Sequence, residues 1–230
     1  MIRAVIFDLD GTLVDTEPLH FAAFAEVLRE QGIELSRAEY FSRFLGYTDH
    51  DCFAAILDKN GRPAGEAVIR RLIDLKSAAY MCAIADRDLL YPGAAGFVRR
   101  CAERFPLIVA TGSLRYEAEL LLERAGIRRL FVDLIAAEDV EHGKPEPDGF
   151  LAALGRLGFL LRVRPPIENG ECLVVEDTAA GVEAAHRAGM KALAIAQTTP
   201  ASRLAAAAIV RSSLAATDLD DVLRRLSQLR

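Results

Sequence analysis

The segment AVIFDLDGTLVDT, residues 4–16, joins a short apolar run to three aspartates and decides the fold of this chain. Its first four residues, Ala4-Val5-Ile6-Phe7, are apolar without alternation, which is typical of a strand buried on both faces of a parallel sheet. The run stops at Asp8, and Asp10-Gly11 follows as a turn sequence. The segment therefore predicts a buried first strand that ends in carboxylates.

Two later segments share this design. Leu107-Ile108-Val109-Ala110 stops at Thr111-Gly112-Ser113, and Cys172-Leu173-Val174-Val175 stops at Glu176-Asp177. Weaker strand candidates lie at 134–137 and 192–195, and helical patterns at 114–125 and 181–188 end at Gly126 and Gly189. Alternating strands and helices predict an α/β fold with a Rossmann-like, doubly wound parallel sheet as its core.

Residues 16–91 interrupt the alternation. They contain no convincing strand, and helical patterns begin at Thr16, Ser36, Asp49 and Pro63. We predict an inserted all-helical domain at 16–91 and a discontinuous α/β core at 1–15 and 92–230. The two connections, near Asp15 and Tyr91, are expected to form a hinge.

Composition narrows the classes of protein. The 230 residues include 28 Lys+Arg and 33 Asp+Glu, a net charge of −5 that argues against nucleic acid as a partner. No apolar stretch approaches the roughly 18 residues that span a bilayer, so no membrane partner is expected. The four cysteines form no Cys-x-x-Cys pair, which fits a reducing compartment. We predict a cytoplasmic protein.

The strand ends carry the residues that suggest chemistry. Open α/β sheets bind ligands at these ends, where the sequence places Asp8, Asp10, Thr111, Glu176 and Asp177. So many carboxylates in one crevice repel each other and imply a cation, and oxygen ligands of this kind favour Mg²⁺. Lys144, in Gly143-Lys144-Pro145, can supply a second positive charge. Each residue alone has an ordinary explanation as a turn, cap or surface group, but their joint order favours a site.

These residues also resemble a known family. Asp8-Leu9-Asp10-Gly11-Thr12-Leu13-Val14-Asp15-Thr16 is similar to the first motif of the haloacid dehalogenase-like (HAD) hydrolase superfamily. Thr111, Lys144 and Val174-Val175-Glu176-Asp177 match its second, third and fourth motifs in order. Asp177-Thr178-Ala179-Ala180-Gly181 and Tyr91-Pro92-Gly93 resemble the branch that contains β-phosphoglucomutase and many small phosphatases.

The resemblance implies a phosphoric monoester hydrolase with a helical cap, which uses Mg²⁺ and an aspartyl-phosphate intermediate. It assigns nucleophilic attack to Asp8, acid–base catalysis to Asp10, and phosphoryl binding to Thr111 and Lys144. The implied metal ligands are Asp8, the Asp10 carbonyl, Glu176 and Asp177. The candidates for substrate binding are Thr16, His20, Gly46, Thr48, Lys76, Ser113 and Arg115. The expected partner is a small phosphate ester such as a sugar phosphate, bound by a monomer or weak homodimer.

Four other functions are weighed against this one. A β-phosphoglucomutase would carry a basic pair around Gly46 to hold a second phosphate, but these positions are Leu45 and Asp49. Dehalogenases of this fold lack an acid at the position of Asp10. A phosphoacceptor signalling module would carry its aspartate mid-sheet and no cap, and a catalytically inactive binding protein would not keep every core motif residue.

Overall fold

Six parallel strands form one sheet in the order β3-β2-β1-β4-β5-β6, in a computed structural model that describes residues 1–228. The strands are β1 Ala4–Phe7, β2 Leu107–Ala110, β3 Asp133–Ile135, β4 Cys172–Glu176, β5 Lys191–Ile195 and β6 Ile209–Arg211. The direction of strand order reverses between β1 and β4, which pair directly. Such a reversal opens a crevice at the carboxyl ends of the strands, so it fixes where a ligand can bind.

Both faces of the sheet are buried, which explains the unbroken apolar runs in the sequence. Val5 and Phe7 face one hydrophobic core, whereas Ala4 and Ile6 face a second core on the opposite side. The helices that cover the sheet are α5 Ala94–Ala102, α6 Arg115–Arg124, α7 Asp148–Leu161, α8 Ala179–Arg187 and α9 Leu219–Gln228. The predicted α/β class with a doubly wound, Rossmann-like sheet is confirmed.

The segment between β1 and α5 is helical. Its helices are α1 Glu17–Glu30, the short α2 Arg37–Glu39 with a wide turn at Tyr40–Phe44, α3 Asp49–Lys59 and α4 Glu66–Ile84. They enclose a separate apolar core that includes Phe24, Phe53 and Leu72. The predicted all-helical insertion is confirmed, while the exact boundaries at 16 and 91 stay a prediction.

The two connections to the helical segment pair with each other. Val14 and Leu90 form an antiparallel bridge, and the Asp15 N–H donates to the Leu89 carbonyl at 2.7 Å. The Tyr91 hydroxyl donates to Asp15 Oδ1 at 3.1 Å. Both connections therefore reach the sheet as one two-stranded link.

Some predicted elements differ from the structure. The sequence of 157–170, with two adjacent prolines, predicts a surface loop. The stretch begins inside α7, which continues to Leu161 because Leu157 is buried against the sheet. Strand β6 has no sequence prediction. In the described part of the chain, none of the helices has the combined length and apolar character needed to cross a membrane.

Candidate active site

Three neighbouring strands bring the predicted motif residues together. Asp8 follows β1, Thr111 follows β2, and Glu176 ends β4, so their side chains meet where the strand order reverses. The Asp8 N–H donates to the Val175 carbonyl at 2.9 Å, which continues the β1–β4 pairing to the site. The sheet, rather than a flexible loop, thus positions these groups.

A buried cluster of carboxylates lies at this point. Asp8, Glu176 and Asp177 each offer an oxygen within 4.8 Å of the other two. Lys144 Nζ lies 2.5 Å from Asp8 Oδ1 and also bonds Glu176 Oε1. Burial, opposed by Lys144 but aided by Glu176, raises the pKa of Asp8 to about 8. Burial and repulsion from Glu176 and Asp8 likewise raise the pKa of Asp177 well above its ordinary value.

Hydrogen bonds fix the orientation of the two β4 carboxylates. Glu176 Oε2 accepts from the N–H groups of Asp177 and Thr178 at 2.7 and 2.8 Å. Asp177 Oδ1 accepts from the Thr12 hydroxyl at 2.7 Å, and its Oδ2 accepts from Thr198. A side chain at Gly181 would overlap the Glu176 carboxylate, so a glycine is required there. Together with the bonds of Lys144 to Asp8 Oδ1 and Glu176 Oε1, five of the six carboxylate oxygens of the cluster have a donor.

Asp10 points away from this cluster into a ring of donors. Its Oδ1 accepts from Thr16 at 2.6 Å and from His20 at 3.1 Å, and its Oδ2 accepts from Ser113 at 2.7 Å and Thr111 at 3.1 Å. Burial opposes the charge of Asp10, but His20 and the hydroxyls outweigh it and lower its pKa below the ordinary value. Asp10 is therefore held as a carboxylate in the absence of a ligand.

A buried ion pair sets the tautomer of His20. Lys76 Nζ lies 2.8 Å from His20 Nδ1 and 2.8 Å from Asp49 Oδ1, with the lysine fully buried. A lysine ammonium only donates, so Nδ1 accepts and a neutral His20 carries its proton on Nε2, facing Asp10. The Tyr80 ring stacks on the imidazole at 4.1 Å between centroids. The helical segment thus presents one defined donor to Asp10.

A cleft separates the strand ends from the helical segment. Among the described residues that line it, Lys144 is the one lysine or arginine, whereas four carboxylates line it. The lining residues are Asp8, Asp10, Glu17, His20, Phe24, Tyr40, Gly46, Tyr47, Asp49, Thr111, Gly112, Ser113, Lys144 and Thr178. The cleft can thus hold one anionic group beside Lys144, and its far wall is acidic and aromatic.

The family profile described as haloacid dehalogenase-like hydrolase matches residues 2–189 of the chain. The chain belongs to this family. The predicted family and the predicted enzyme, a HAD-like hydrolase, are confirmed.

Curated relatives of this HAD-like hydrolase include phosphatases. It is 32% identical over 201 residues to the fructose-1-phosphate phosphatase YqaB of Escherichia coli (strain K12), which covers 82% of this chain and 94% of that protein. It is 31% identical over 217 residues to the validoxylamine A 7'-phosphate phosphatase of Streptomyces hygroscopicus subsp. limoneus, covering 93% and 95%.

A solved structure confirms the fold of the whole HAD-like chain. The β-phosphoglucomutase from Clostridium difficile superposes with a TM-score of 0.87 at 22% identity, covering 100% of this chain and 99% of that one. At this identity the likeness concerns the fold alone. The superposed region includes both the sheet and the inserted helices.

The remaining predicted substrate-binding residues of the HAD-like hydrolase occupy different places. Gly46 lines the cleft in a left-handed conformation with φ +85°, and Lys76 lies behind His20. The Thr48 hydroxyl caps α3 by accepting from the Asp51 N–H at 3.1 Å. Arg115 points to the Leu134 carbonyl and Asp139 and is not among the cleft-lining residues described. Its role in substrate binding stays a prediction.

The sequence analysis missed one pair in the cleft wall. Glu17 and Tyr40 both line the cleft, and the Tyr40 hydroxyl donates to Glu17 Oε2 at 2.9 Å. Glu17 directly follows the predicted Thr16, so its position in the first turn of α1 was a usable signal. Tyr40 gave none, because its place depends on the wide turn after α2.

Proposed function

We propose that this HAD-like hydrolase is a Mg²⁺-dependent phosphatase that hydrolyses a small phosphorylated metabolite, a sugar phosphate or similar organic phosphate, through an aspartyl-phosphate on Asp8. One observation carries the proposal: three buried carboxylates lie together at the strand ends, and a single lysine bonds two of them. Such a cluster needs further positive charge, and a phosphatase supplies it with a metal. The phosphatase relatives support the same activity.

The donor set fits Mg²⁺. Asp8, Glu176 and Asp177 offer hard carboxylate oxygens, the ligands that Mg²⁺ prefers. Burial and, after it, repulsion between the carboxylates raise the pKa values of Asp8 and Asp177, and a bound cation would offset both effects. We propose these three as ligands, together with the Asp10 carbonyl. When bound, Mg²⁺ supplies positive charge against the phosphoryl oxygens and keeps Asp8 ionised.

The two aspartates divide the chemistry. Asp8 attacks phosphorus in line, and the P–O bond to the leaving group breaks as Asp10 protonates that oxygen. Asp10 then takes a proton from water, the water oxygen attacks phosphorus, and inorganic phosphate leaves with Asp8 restored. The bound phosphoryl group raises the pKa of Asp10 by like charge, so that Asp10 carries the proton the first step requires. Thr111 and Lys144 hold the phosphoryl oxygens.

The ion pair behind His20 opposes the mutase alternative. A mutase must grip a second phosphate on the helical side of the cleft, but Lys76 there is neutralised by Asp49 at 2.8 Å. Glu17 adds a further carboxylate to the same wall. A second dianionic phosphate would meet net negative charge, which favours hydrolysis of a monophosphate.

Phosphate release tests the proposal directly. We would measure it with and without Mg²⁺ for p-nitrophenyl phosphate, fructose 1-phosphate, glucose 6-phosphate, glucitol 6-phosphate and glycerol 3-phosphate, using wild type, Asp8→Asn and Asp58→Asn. Asp58 is exposed on α3 and outside the cleft, so it controls for the same substitution. We expect Mg²⁺-dependent release that Asp8→Asn lowers by about 10³-fold or more and Asp58→Asn leaves unchanged.

Two results would contradict the proposal. Equal activity of wild type and Asp8→Asn would exclude Asp8 as the nucleophile. Isomerisation of β-glucose 1-phosphate without phosphate release would make the enzyme a mutase.

We also propose that the enzyme works in the cytoplasm. The structure gives Cys52, Cys82, Cys101 and Cys172 as free thiols, which supports a reducing compartment. The monomer or weak homodimer stays a prediction, and size-exclusion chromatography with light scattering measures it.

A further inference from the structure

Asp49 carries a buried carboxylate oxygen with no partner in the protein. Its Oδ1 accepts from Lys76 at 2.8 Å, but its Oδ2 has no hydrogen bond among the described residues. The residue is 7% exposed and lines the cleft on the side opposite the strand ends. The oxygen is thus shielded from bulk water, in a residue that lines the cleft.

An unpartnered buried oxygen of this kind points to a ligand. Leaving a buried acceptor without a donor is costly, and native structures rarely do so. Asp49 forms an ion pair with the Lys76 ammonium at 2.8 Å, and a carboxylate only accepts, so the missing partner of Oδ2 must be a donor. Because Lys76 already balances the charge of Asp49, a neutral hydroxyl meets the need, whereas a cationic donor would be repelled by Lys76.

The neighbouring groups suit a hydroxylated carbon skeleton. Glu17 offers a second acceptor, since the only hydrogen bond described for its carboxylate is the one from Tyr40 to Oε2. The rings of Phe24, Tyr40 and Tyr47 line the same wall. Carboxylates beside aromatic faces match a molecule with hydroxyl edges and C–H faces. They do not match a second phosphate.

We propose that Asp49 is a specificity-determining residue: its free carboxylate oxygen accepts a hydrogen bond from a hydroxyl of the leaving group and so selects monophosphates of neutral sugars or polyols over bisphosphates. This inference rests on the proposed phosphatase function and adds to it the chemical class of the leaving group. Asp49 acts on the substrate directly, on the wall that faces Asp8 across the cleft.

Asp49→Asn isolates the free oxygen. Lys76 requires an acceptor, so the amide oxygen of Asn takes that bond and the NH₂ group occupies the free position, replacing an acceptor with a donor. The substitution keeps the size of the side chain. Asp58→Asn on the same helix is the matched control.

The readout is a ratio of kcat/KM values within each variant. We expect Asp49→Asn to lower kcat/KM for the best sugar or polyol monophosphate of the panel, relative to p-nitrophenyl phosphate, by roughly 10- to 100-fold, mainly through KM. The p-nitrophenyl group has no hydroxyl to lose. Asn does not balance the charge of Lys76. In the same variant, kcat/KM for the bisphosphate of the same sugar or polyol should therefore rise about tenfold relative to kcat/KM for its monophosphate. Asp58→Asn should shift neither ratio.

A substrate series tests the inference in wild type, without relying on a folded variant. Monodeoxy analogues of the best monophosphate should include one with kcat/KM reduced roughly tenfold or more, and Asp49→Asn should abolish that difference. An equal loss on sugar phosphate and p-nitrophenyl phosphate, or no sensitive hydroxyl in wild type, would overturn the inference. If wild type releases no phosphate even from p-nitrophenyl phosphate, it is the proposed function that fails.

Discussion

Asp8 and Asp10 are two residues apart on one strand end, yet their environments push their pKa values in opposite directions. Asp8 lies against Glu176, and burial raises its pKa to about 8, whereas His20 and three hydroxyls lower the pKa of Asp10. The Asp10 side chain reaches Thr16 and His20 at the start of the helical segment, whereas Asp8 stays with the carboxylates of the sheet. Pairs of carboxyl groups with separated pKa values are typical of acid–base sites.

The role of Asp10 predicts a specific kinetic defect in Asp10→Ala. Sugar phosphates need a proton on the leaving oxygen, so their kcat should fall about 10²- to 10⁴-fold. Nitrophenolate is a good leaving group without that proton, so with p-nitrophenyl phosphate only the second, water-dependent step should be slow. Stopped-flow absorbance should then show a burst of up to one nitrophenolate per active site before slow turnover.

Wild type provides the comparison for this burst. It should show a smaller burst or none, because its Asp10 also speeds the second step. Slow turnover of p-nitrophenyl phosphate in Asp10→Ala without a burst would contradict either the covalent intermediate or the assignment of Asp10 as the base.

At the scale of elements, the loop before α3 closes the cleft by close contacts at glycines. A Cβ at Gly112 would meet the Tyr47 carbonyl at 3.5 Å, and a Cβ at Gly143 would meet Thr48 Cγ2 at 2.7 Å. Gly46, on the same loop, approaches Thr178 of the core, where a Cβ would lie 3.2 Å from the hydroxyl. The helical segment therefore reaches the sheet domain at glycines that allow a close approach.

Gly143→Ala should weaken this closure. Its methyl group would lie 2.7 Å from both Thr48 Cγ2 and Asp51 Oδ2, too near for either without a shift. The φ of Gly143 is not positive, so backbone strain is not the cause. We expect kcat/KM for a sugar phosphate to fall about tenfold, in steady-state assays, because the segment cannot approach Lys144 fully.

Gly155→Ala is the control for Gly143→Ala. Gly155 is an exposed residue of α7 with open space around its Cβ position, so alanine there should leave kcat/KM unchanged and raise the free energy of unfolding by up to about 1 kcal/mol. Unchanged kcat/KM in Gly143→Ala would show that the loop at Thr48 does not pack on Gly143 in the working enzyme.

A helix or strand could be predicted from the sequence where its own residues determine it, without contacts from distant parts of the chain. The unbroken apolar runs predicted β1, β2 and β4, because each is buried on both faces. Strand β6 escaped prediction, since Ile209-Val210-Arg211 is short and lies at the edge of the sheet. Thr16, predicted as an N-cap, makes no side-chain cap because its hydroxyl bonds Asp10 instead.

For the whole molecule, the same dependence on local sequence distinguishes the two walls of the cleft, the strand ends and the helical segment. The strand ends were predictable because parallel strands must bring their carboxyl ends to one edge, wherever they occur in the chain. The opposite wall was not, because Lys76 meets Asp49 across 27 residues and Tyr40 meets Glu17 across 23. The packing of α1, α3, α4 and the wide turn after α2 creates those pairs. The sequence therefore predicted Lys76 as a substrate-binding residue but did not indicate that Asp49 is its ion-pair partner.

The clustering of charge at one edge predicts how the stability of the whole chain depends on pH and metal. In the metal-free protein the folded pKa of Asp8 is about 8, against an ordinary value of 3.8. The folded state then binds more protons than the unfolded state between these values, so the free energy of unfolding should fall as pH rises toward 8. Mg²⁺ replaces the proton, and its stabilising effect should therefore grow over the same interval.

Urea denaturation between about pH 6 and about pH 8, in EDTA and in Mg²⁺, measures both effects. Asp8→Asn is the informative comparison, because an amide cannot titrate and so removes its part of the slope in EDTA, whereas Asp58→Asn should keep the wild-type slope. A metal-free midpoint that rises with pH would mean that Lys144 alone compensates the cluster. The carboxylates at the strand ends, which contribute to the net charge of −5, would then need no cation. The expected fall with pH would instead support the proposed metal site, because Asp8, Glu176 and Asp177 lie together and a cation there would offset their charge.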